Sequence, residues 1–236
     1  MIVVFWDIDG TLLTTARAGV FALEDACREV TGRGLDFASL KIDGLTDHQI
    51  AVAILEQAGV TPEDAVVSRF IAVYESQLPA RLPLRRGRVF EGVHAILQHL
   101  RERRPDVHSM LLTGNTAAGA AAKLAHYGLQ QYFEGGSFSS DTGSRAGIAM
   151  RALTAVREKF PEAMIEPGHA FVVGDTPHDI SCARAIGARC IAVATGAYSA
   201  ADLRSHGAWL ALDHLPEPSV FERIVDTPAG AQAPAL

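Results

Sequence analysis

Several features that define other classes of protein are scarce in this sequence. It has 3 cysteines among 236 residues, an odd number without the spacing of metal ligands, so we expect reduced core thiols. No apolar run reaches the about 18 residues that a membrane-spanning helix needs. No basic leader precedes the short apolar run at the N-terminus. These absences predict a cytoplasmic protein without a membrane partner.

A surplus of positive charge is also missing. The formal net charge is −6, so the chain lacks the electrostatic footprint of a protein that binds nucleic acid. Small anionic substrates remain compatible with this balance, because a metal ion and a few local donors can bind them. The sequence leaves open whether the protein is a monomer or a homodimer.

What the chain does contain is an apolar strand that ends on two acids. Residues 2–6 are apolar and predict a buried strand, and Asp7, Asp9, Gly10 and Thr11 follow directly. Side chains two apart in a strand point the same way, so both carboxylates converge at its carboxyl end, where open α/β sheets bind ligands. Oxygen ligands this close suit magnesium. The alternative is an ordinary acidic turn.

Strands alternate with helices in the second part of the chain, which predicts an α/β fold built on a doubly wound parallel sheet. Helical periodicity without a convincing strand fills the preceding segment, where a Thr-Pro-Glu-Asp signal places Pro62 at the first position of a helix. We therefore predict a core domain formed by 1–13 and 88–226, an inserted helical cap domain at 14–87 and a flexible tail at 227–236. The later strands are predicted at 107–112, 136–139, 170–173, 189–194 and 209–212.

Two of these later strands also end on polar residues. Thr113, Gly114 and Asn115 follow the first of them and offer a hydroxyl, a glycine and free amides at a helix start, which can form a phosphate cradle. A simple helix cap is the alternative for this group. Asp175 follows the strand at 170–173, where a buried acid needs a cation or donors to compensate it. Asp179 can be a capping residue or a further ligand.

The three motifs together resemble the haloacid dehalogenase-like hydrolase superfamily, nearest its phosphoglycolate phosphatase-like branch. They are Asp7-Ile8-Asp9-Gly10-Thr11, Leu112-Thr113-Gly114-Asn115 and Gly174-Asp175-Thr176-Pro177-His178-Asp179. The resemblance implies a doubly wound sheet with a mobile cap, and a Mg²⁺-dependent phosphatase that acts on a small phosphorylated metabolite.

The resemblance also implies roles for individual residues. Asp7 is expected to attack phosphorus and form an aspartyl-phosphate, while Asp9 protonates the leaving group and then activates water. Magnesium is expected to be held by the Asp7 carboxylate, the Asp9 backbone carbonyl and Asp175, with Asp179 as a supporting or direct ligand. Thr113 is expected to bind the phosphoryl oxygens, with Gly10, Thr11, Gly114 and Asn115 as further substrate-binding positions.

One element of the superfamily pattern is different here. A lysine is expected between the second and third motifs, and this chain has Arg145 at the matching separation. We interpret Arg145 as the catalytic cation, because its forked guanidinium can clamp phosphate. The alternative is Lys123, which we place on a solvated helix face. Two other functions stay open, a phosphomutase and a phosphate-binding protein without turnover.

Overall fold

The central element of the fold is a six-stranded parallel sheet. The structure is a computed structural model that describes residues 1–37, 44–139, 144–161 and 168–234. Within these residues the sheet has the order β5-β4-β1-β6-β7-β8, and a separate antiparallel pair joins β2 to β3. The strands are β1 Ile2–Trp6, β2 Leu13–Thr14, β3 Arg88–Val89, β4 Val107–Leu112, β5 Gly136–Ser137, β6 Ala170–Gly174, β7 Arg189–Val193 and β8 Leu210–Leu212.

Helices cover both faces of this sheet. They are α1 Ala18–Thr31, α2 Asp47–Gln57, α3 Asp64–Arg81, α4 Val93–Arg103, α5 Ala117–His126, α6 Arg145–Lys159, α7 Pro177–Ala185, α8 Ala200–Ser205 and α9 Pro218–Val225. This architecture confirms the predicted α/β fold with a doubly wound parallel sheet.

The position of β1 explains where a site can form. β1 pairs with β4 on one side and with β6 on the other, and the chain builds the sheet outward from it in both directions. Its five residues are all buried, with Val4 and Trp6 in one apolar cluster and Val3 and Phe5 in the other. The reversal of strand order leaves a crevice beyond the carboxyl end of β1, where ligands bind in such sheets.

Helices α1 to α3 form a segment with an apolar cluster of its own. This cluster contains Leu23, Ile54 and Phe70, and it is distinct from the two clusters on the sheet. The chain enters and leaves the segment through the paired strands β2 and β3. We call α1 to α3 with their connections the cap. Its limits at 14 and 87 stay a prediction.

Some elements differ from the sequence prediction. Helix α3 begins at Asp64, so Pro62 lies before the helix and the predicted start was two residues too early. Helices α8 and α9 and the short pair β2 and β3 were not predicted, because each spans eight residues or fewer and such lengths carry little periodicity. In the described residues no helix is both long and apolar enough to cross a membrane.

The short helix α9 contributes to the main core despite its length. Phe221 is fully buried, and its ring stacks on that of Trp6 with 5.4 Å between the centroids. Ile224 and Val225 are buried in the same cluster. The core therefore extends almost to the predicted tail.

Truncation of Phe221 is expected to destabilise the whole protein. Phe221→Ala removes a buried aromatic side chain beneath β1, and such changes lower the free energy of unfolding by about 3–5 kcal/mol. Urea unfolding followed by tryptophan fluorescence measures the change. Ser219→Ala, at an exposed position of the same helix, is the control and is expected to stay within about 0.5 kcal/mol of the parent. Equal stabilities of the two variants would contradict the packing role of α9.

Candidate active site

The site begins where β1 ends. Asp7 is only 3% exposed, and its amide donates to the carbonyl of Val173 at 3.0 Å, which continues the sheet for one residue. Gly10 then turns the chain with a φ of 83°, and a Cβ there would collide with the carboxylate of Asp175. A Cβ on Gly196 would collide with the same carboxylate. The two glycines leave room for this buried acid.

Three carboxylates meet at this point. One oxygen each from Asp7, Asp175 and Asp179 lie within 4.8 Å of one another, and all three residues are buried. Burial, followed by the charge of Asp179, raises the pKa of Asp7 to about 7 and that of Asp175 to about 8. Arg145 acts in the opposite direction on both. The positive charge of Arg145 therefore does not fully offset burial and the repulsion between the carboxylates.

The donor set of this cluster fits a divalent cation. The Oδ1 atom of Asp7 is buried and has no hydrogen-bond partner among the described residues, although a buried carboxylate oxygen normally has one. Carboxylate oxygens are the ligands that Mg²⁺ prefers. The Asp9 carboxylate does not belong to the cluster, and the predicted metal contact through its backbone carbonyl stays a prediction.

Asp9 is held by a different group of residues. Its Oδ2 atom accepts hydrogen bonds from Lys123 Nζ at 2.5 Å and from Asn115 Nδ2 at 2.8 Å. Lys123 Nζ also donates to Asn115 Oδ1 at 2.5 Å. The interpretation of Lys123 as part of a solvated helix face was therefore wrong, since the residue is only 4% exposed. Burial lowers its pKa, but Asp9 and Asp47 outweigh that effect and raise it.

Threonine hydroxyls form hydrogen bonds in the loops that follow β4 and β1. Thr113 is fully buried, and its hydroxyl accepts hydrogen bonds from the side chain of Asn115 at 2.8 Å and from its backbone amide at 3.3 Å. Thr11 donates to Asp175 Oδ1 at 3.1 Å. Among the predicted site residues Thr11, Thr113 and Asp179 lie behind the cavity wall, whereas the others line the cavity.

Arg145 lies at the start of α6 and contacts both the core and the cap. Its Nη1 atom donates to Asp179 Oδ1 at 2.7 Å, and its Nε atom donates to the carbonyl of Gly44 at 2.8 Å. Asp179 in turn accepts from the amide and hydroxyl of Thr176, at 3.0 and 2.7 Å. Asp179 therefore fulfils the predicted capping role while one of its oxygens faces the other acids. Residues 140–143, which precede Ser144 and Arg145, lie outside the described residues.

The cap is joined to the core through the first residue of α2. The amide of Asp47 donates to the carbonyl of Gly114 at 2.8 Å, and Asp47 Oδ2 accepts from the amide of Thr116 at 2.8 Å. A Cβ on Gly114 would lie 2.9 Å from the carbonyl of Leu45, so a glycine is needed for this approach. The loop after β4, for which we predicted a phosphate cradle, is thus also hydrogen-bonded to the cap.

The cap and the core enclose a cavity of about 250 Å³. The core contributes Asp7, Asp9, Lys123 and Arg145 to its lining, and the cap contributes Asp47 and residues of α1. The wall also includes Tyr74, Val20, Leu23 and Ile50. A cavity of this size is suited to a small molecule.

The entry to α1 is strained. Ala16 and Arg17 have φ values of 47° and 68°, in the left-handed region that costs a residue with a Cβ roughly 1–2 kcal/mol. The Ala16 amide donates to Thr14 Oγ1 at 3.2 Å, and Arg85 Nε donates to the Ala16 carbonyl at 3.1 Å. The turn was not predicted, because the apolar pattern of this segment is that of a continuous helix.

Comparison with known proteins identifies the class. The sequence model of the haloacid dehalogenase-like hydrolase family matches residues 4–193, so the chain belongs to this family. The predicted resemblance and the predicted hydrolase class are thereby confirmed.

Solved structures agree on the fold. A predicted phosphatase from Clostridium acetobutylicum has a TM-score of 0.70 at 20% identity, over 95% of this chain and 98% of that chain. A predicted phosphoglycolate phosphatase from Haemophilus somnus 129pt has a TM-score of 0.70 at 14% identity, over 94% and 97%. At these identities the likeness establishes the fold alone.

A curated relative has a different name. The tyrosine-protein kinase PtkA of Mycobacterium tuberculosis, strain H37Rv, is 28% identical over 207 residues, which cover 84% of this chain. The match covers 64% of that relative's length. The similarity therefore extends over the hydrolase fold and leaves about a third of the relative outside the comparison.

The buried carboxylate of Asp47 gives the stability a pH dependence. Burial raises its pKa to about 6 from 3.8, although Lys123 and the Thr116 amide oppose this. The folded state therefore holds the proton more tightly than the unfolded state, and the free energy of unfolding falls as pH rises through this range. The loss amounts to about 1–3 kcal/mol above pH 6.

Asp47→Asn is expected to remove this loss while it keeps an oxygen that can accept from Thr116. Urea unfolding in EDTA between pH 4 and 7 measures it, and the variant is expected to gain stability relative to the parent as pH rises. Glu56→Gln, at an exposed position of the same helix, is the control and is expected to show a profile parallel to that of the parent. A parallel profile for Asp47→Asn would mean that the carboxyl titrates normally.

Proposed function

We propose that this protein is a Mg²⁺-dependent phosphomonoesterase that hydrolyses a small phosphorylated metabolite through an aspartyl-phosphate on Asp7. The observation that carries the proposal is the arrangement of two acids at the end of β1. Asp7 is buried with an unpartnered oxygen, whereas Asp9 is partly exposed and held by Lys123 and Asn115. One carboxylate is thus suited to attack, and the other to proton transfer.

In the first step a carboxylate oxygen of Asp7 attacks the phosphorus atom. The bond between phosphorus and the ester oxygen breaks, and that oxygen takes the proton from the Asp9 carboxyl group. Lys123 and Asn115 hold the Asp9 carboxylate in one orientation, which keeps its proton directed at the leaving group. The alcohol then leaves, and the phosphoryl group remains on Asp7.

In the second step water attacks the phosphorus atom and Asp9 takes up the proton. The bond between phosphorus and the Asp7 oxygen breaks, so inorganic phosphate forms and the carboxylate is regenerated. The cap limits this chemistry to a cavity of about 250 Å³, which favours a small substrate and a restricted supply of water.

A bound Mg²⁺ would be held by Asp7, Asp175 and Asp179, where it would neutralise negative charge on the carboxylates and on the phosphoryl oxygens. Arg145 contributes a permanent charge beside Asp179, and Lys123 contributes a second one beside Asp9. These groups reduce the repulsion between an anionic nucleophile and an anionic ester.

A second candidate function is transfer of the phosphoryl group to a hydroxyl other than that of water. The similarity to a protein named as a tyrosine kinase favours it, since a tyrosyl hydroxyl would replace water in the second step. A phosphomutase would use a sugar hydroxyl in the same place. The enclosed cavity favours the small substrates of the phosphatase and the mutase over a protein acceptor.

The first test is phosphate release from phosphoglycolate, hexose phosphates, phosphotyrosine and p-nitrophenyl phosphate. Release is expected with Mg²⁺, loss with EDTA, and a fall of at least about 1,000-fold in Asp7→Asn, because the nucleophile is removed. Hexose phosphate isomerisation is followed in parallel. Isomerisation without net release would favour the mutase, and turnover that survives in Asp7→Asn would overturn the assignment of Asp7.

The two buried cations are expected to affect different kinetic constants. Arg145→Met removes a forked donor beside the phosphoryl position, so KM is expected to rise about 10- to 100-fold. Lys123→Met leaves Asp9 without its main partner, so kcat is expected to fall by a similar factor while KM changes little. Steady-state kinetics on p-nitrophenyl phosphate separates these outcomes. The opposite pattern would exchange the roles of the two residues.

A further inference from the structure

We propose that Thr195 is a positioning residue for the metal site, because it fixes the backbone turn that follows β1. The inference rests on the proposed function, since it concerns how the chain holds the groups that would bind Mg²⁺. Thr195 is not among the residues that line the cavity, whereas the next two residues, Gly196 and Ala197, do line it. Thr195 therefore acts through the backbone and not by contact with a substrate.

The first observation is a hydrogen bond between two loops that are distant in sequence. The hydroxyl of Thr195 donates to the carbonyl of Gly10 at 2.5 Å, across a separation of 185 residues. Thr195 lies in the loop after β7, and Gly10 belongs to the turn after β1. Because β6 lies between these two strands in the sheet, the loop after β7 must pass over the carboxyl end of β6 to reach Gly10. Asp175, a proposed metal ligand, follows that end.

The second observation is the packing of both loops on Asp175. A Cβ on either Gly196 or Gly10 would collide with the Asp175 carboxylate, so both backbones approach it closely. The hydroxyl of Thr11 also donates to Asp175 Oδ1 at 3.1 Å. The turn after β1, the loop after β7 and Asp175 thus form one packed unit, and the hydrogen bond from Thr195 joins its two loops.

The third observation is the conformation that this hydrogen bond restrains. Gly10 has a φ of 83°, and glycine has the least restricted backbone of all residues. The N–H of Gly10 donates to the Leu13 carbonyl at 3.0 Å, which holds the peptide on one side of the Gly10 Cα atom. Thr195 holds the peptide on the other side, and in the described part of the chain no other donor binds the Gly10 carbonyl.

The restraint on Gly10 extends to the groups that would bind the metal. The carbonyl and the N–H of a trans peptide point in opposite directions, so the bond from the Gly10 N–H to Leu13 also sets the direction of the Asp9 carbonyl, the predicted backbone ligand. Rotation at Gly10 would disturb that bond and would move Thr11, which contacts Asp175. Loss of a hydrogen bond that supports metal ligands commonly weakens metal binding by about 10- to 100-fold.

The test measures the affinity for Mg²⁺ by calorimetry, with Mg²⁺ alone and without a substrate. Thr195→Val keeps the branched shape and removes the hydroxyl, so the dissociation constant for Mg²⁺ is expected to rise about 10- to 100-fold. Thr195→Ala is a second variant without the hydroxyl and is expected to show a similar loss. Thr195→Ser keeps the hydroxyl and is expected to stay within about threefold of the parent.

Thr154→Val is the matched control. The hydroxyl of Thr154 also donates to a backbone carbonyl, that of Met150 at 3.0 Å, but at an exposed position of α6. Urea unfolding in EDTA is measured for every variant, so that a general loss of stability is recognised. A structural role alone would lower the stability of Thr195→Val and leave its Mg²⁺ affinity unchanged, whereas positioning changes the affinity of the folded protein.

A Mg²⁺ affinity that stays at the parent value in Thr195→Val and Thr195→Ala would overturn the positioning role. So would a loss in Thr195→Ser as large as that in Thr195→Val. The proposed hydrolysis fails separately. A parent that binds Mg²⁺ in a Thr195-dependent manner but releases no phosphate from any phosphate ester would remove the phosphatase and retain the positioning role. A parent that binds no Mg²⁺ would overturn both.

Discussion

Electrostatic repulsion between three buried carboxylates sets the requirements for the rest of this structure. Asp7 and Asp175 follow the adjacent parallel strands β1 and β6, and Asp179 lies in the first turn of α7. Burial makes the repulsion between the three carboxylates strong. The fold tolerates this arrangement because Arg145 lies beside the group and because Gly10 and other small residues leave space for it. The carboxylates whose repulsion destabilises the folded state also provide the oxygen ligands and the nucleophile of the proposed reaction. Function and instability therefore have a common origin at this end of the sheet.

The cationic side chains of the site contact different groups. Lys123 holds Asp9, the acid that exchanges protons in the proposed reaction, and Arg145 pairs with Asp179 beside the proposed nucleophile. Arg17 belongs to neither group and lines the cavity from the start of α1. Each cation comes from a different helix or helix start. This separation suits a fold in which reaction and selectivity are encoded by different segments.

The sequence predicted the sheet and the three strand ends, because both depend on local patterns. Apolar runs that stop at Asp7, Thr113 and Asp175 mark the carboxyl ends of parallel strands, which must meet at one edge. The location of Lys123 was not predicted, since its burial depends on Asp9 and on cap residues that are distant in sequence. The alanines that surround it allow close packing and were the one available signal. The turn at Ala16 and Arg17 was not predicted either, because left-handed backbone at a helix start leaves no mark in a periodic pattern.

The contact between α2 and the loop after β4 has a consequence for how such proteins diversify. It consists of a carbonyl and an amide from the core loop and an amide and a carboxylate from Asp47. On the cap side of this contact, only the carboxylate depends on side-chain identity, while the core side also needs Gly114. A foreign helical segment, introduced between β2 and β3, could therefore dock on this core if one of its helices began with an acid at the corresponding place. New substrate ranges would then arise by exchange of a whole segment, with an acid at this place as one condition for a productive graft.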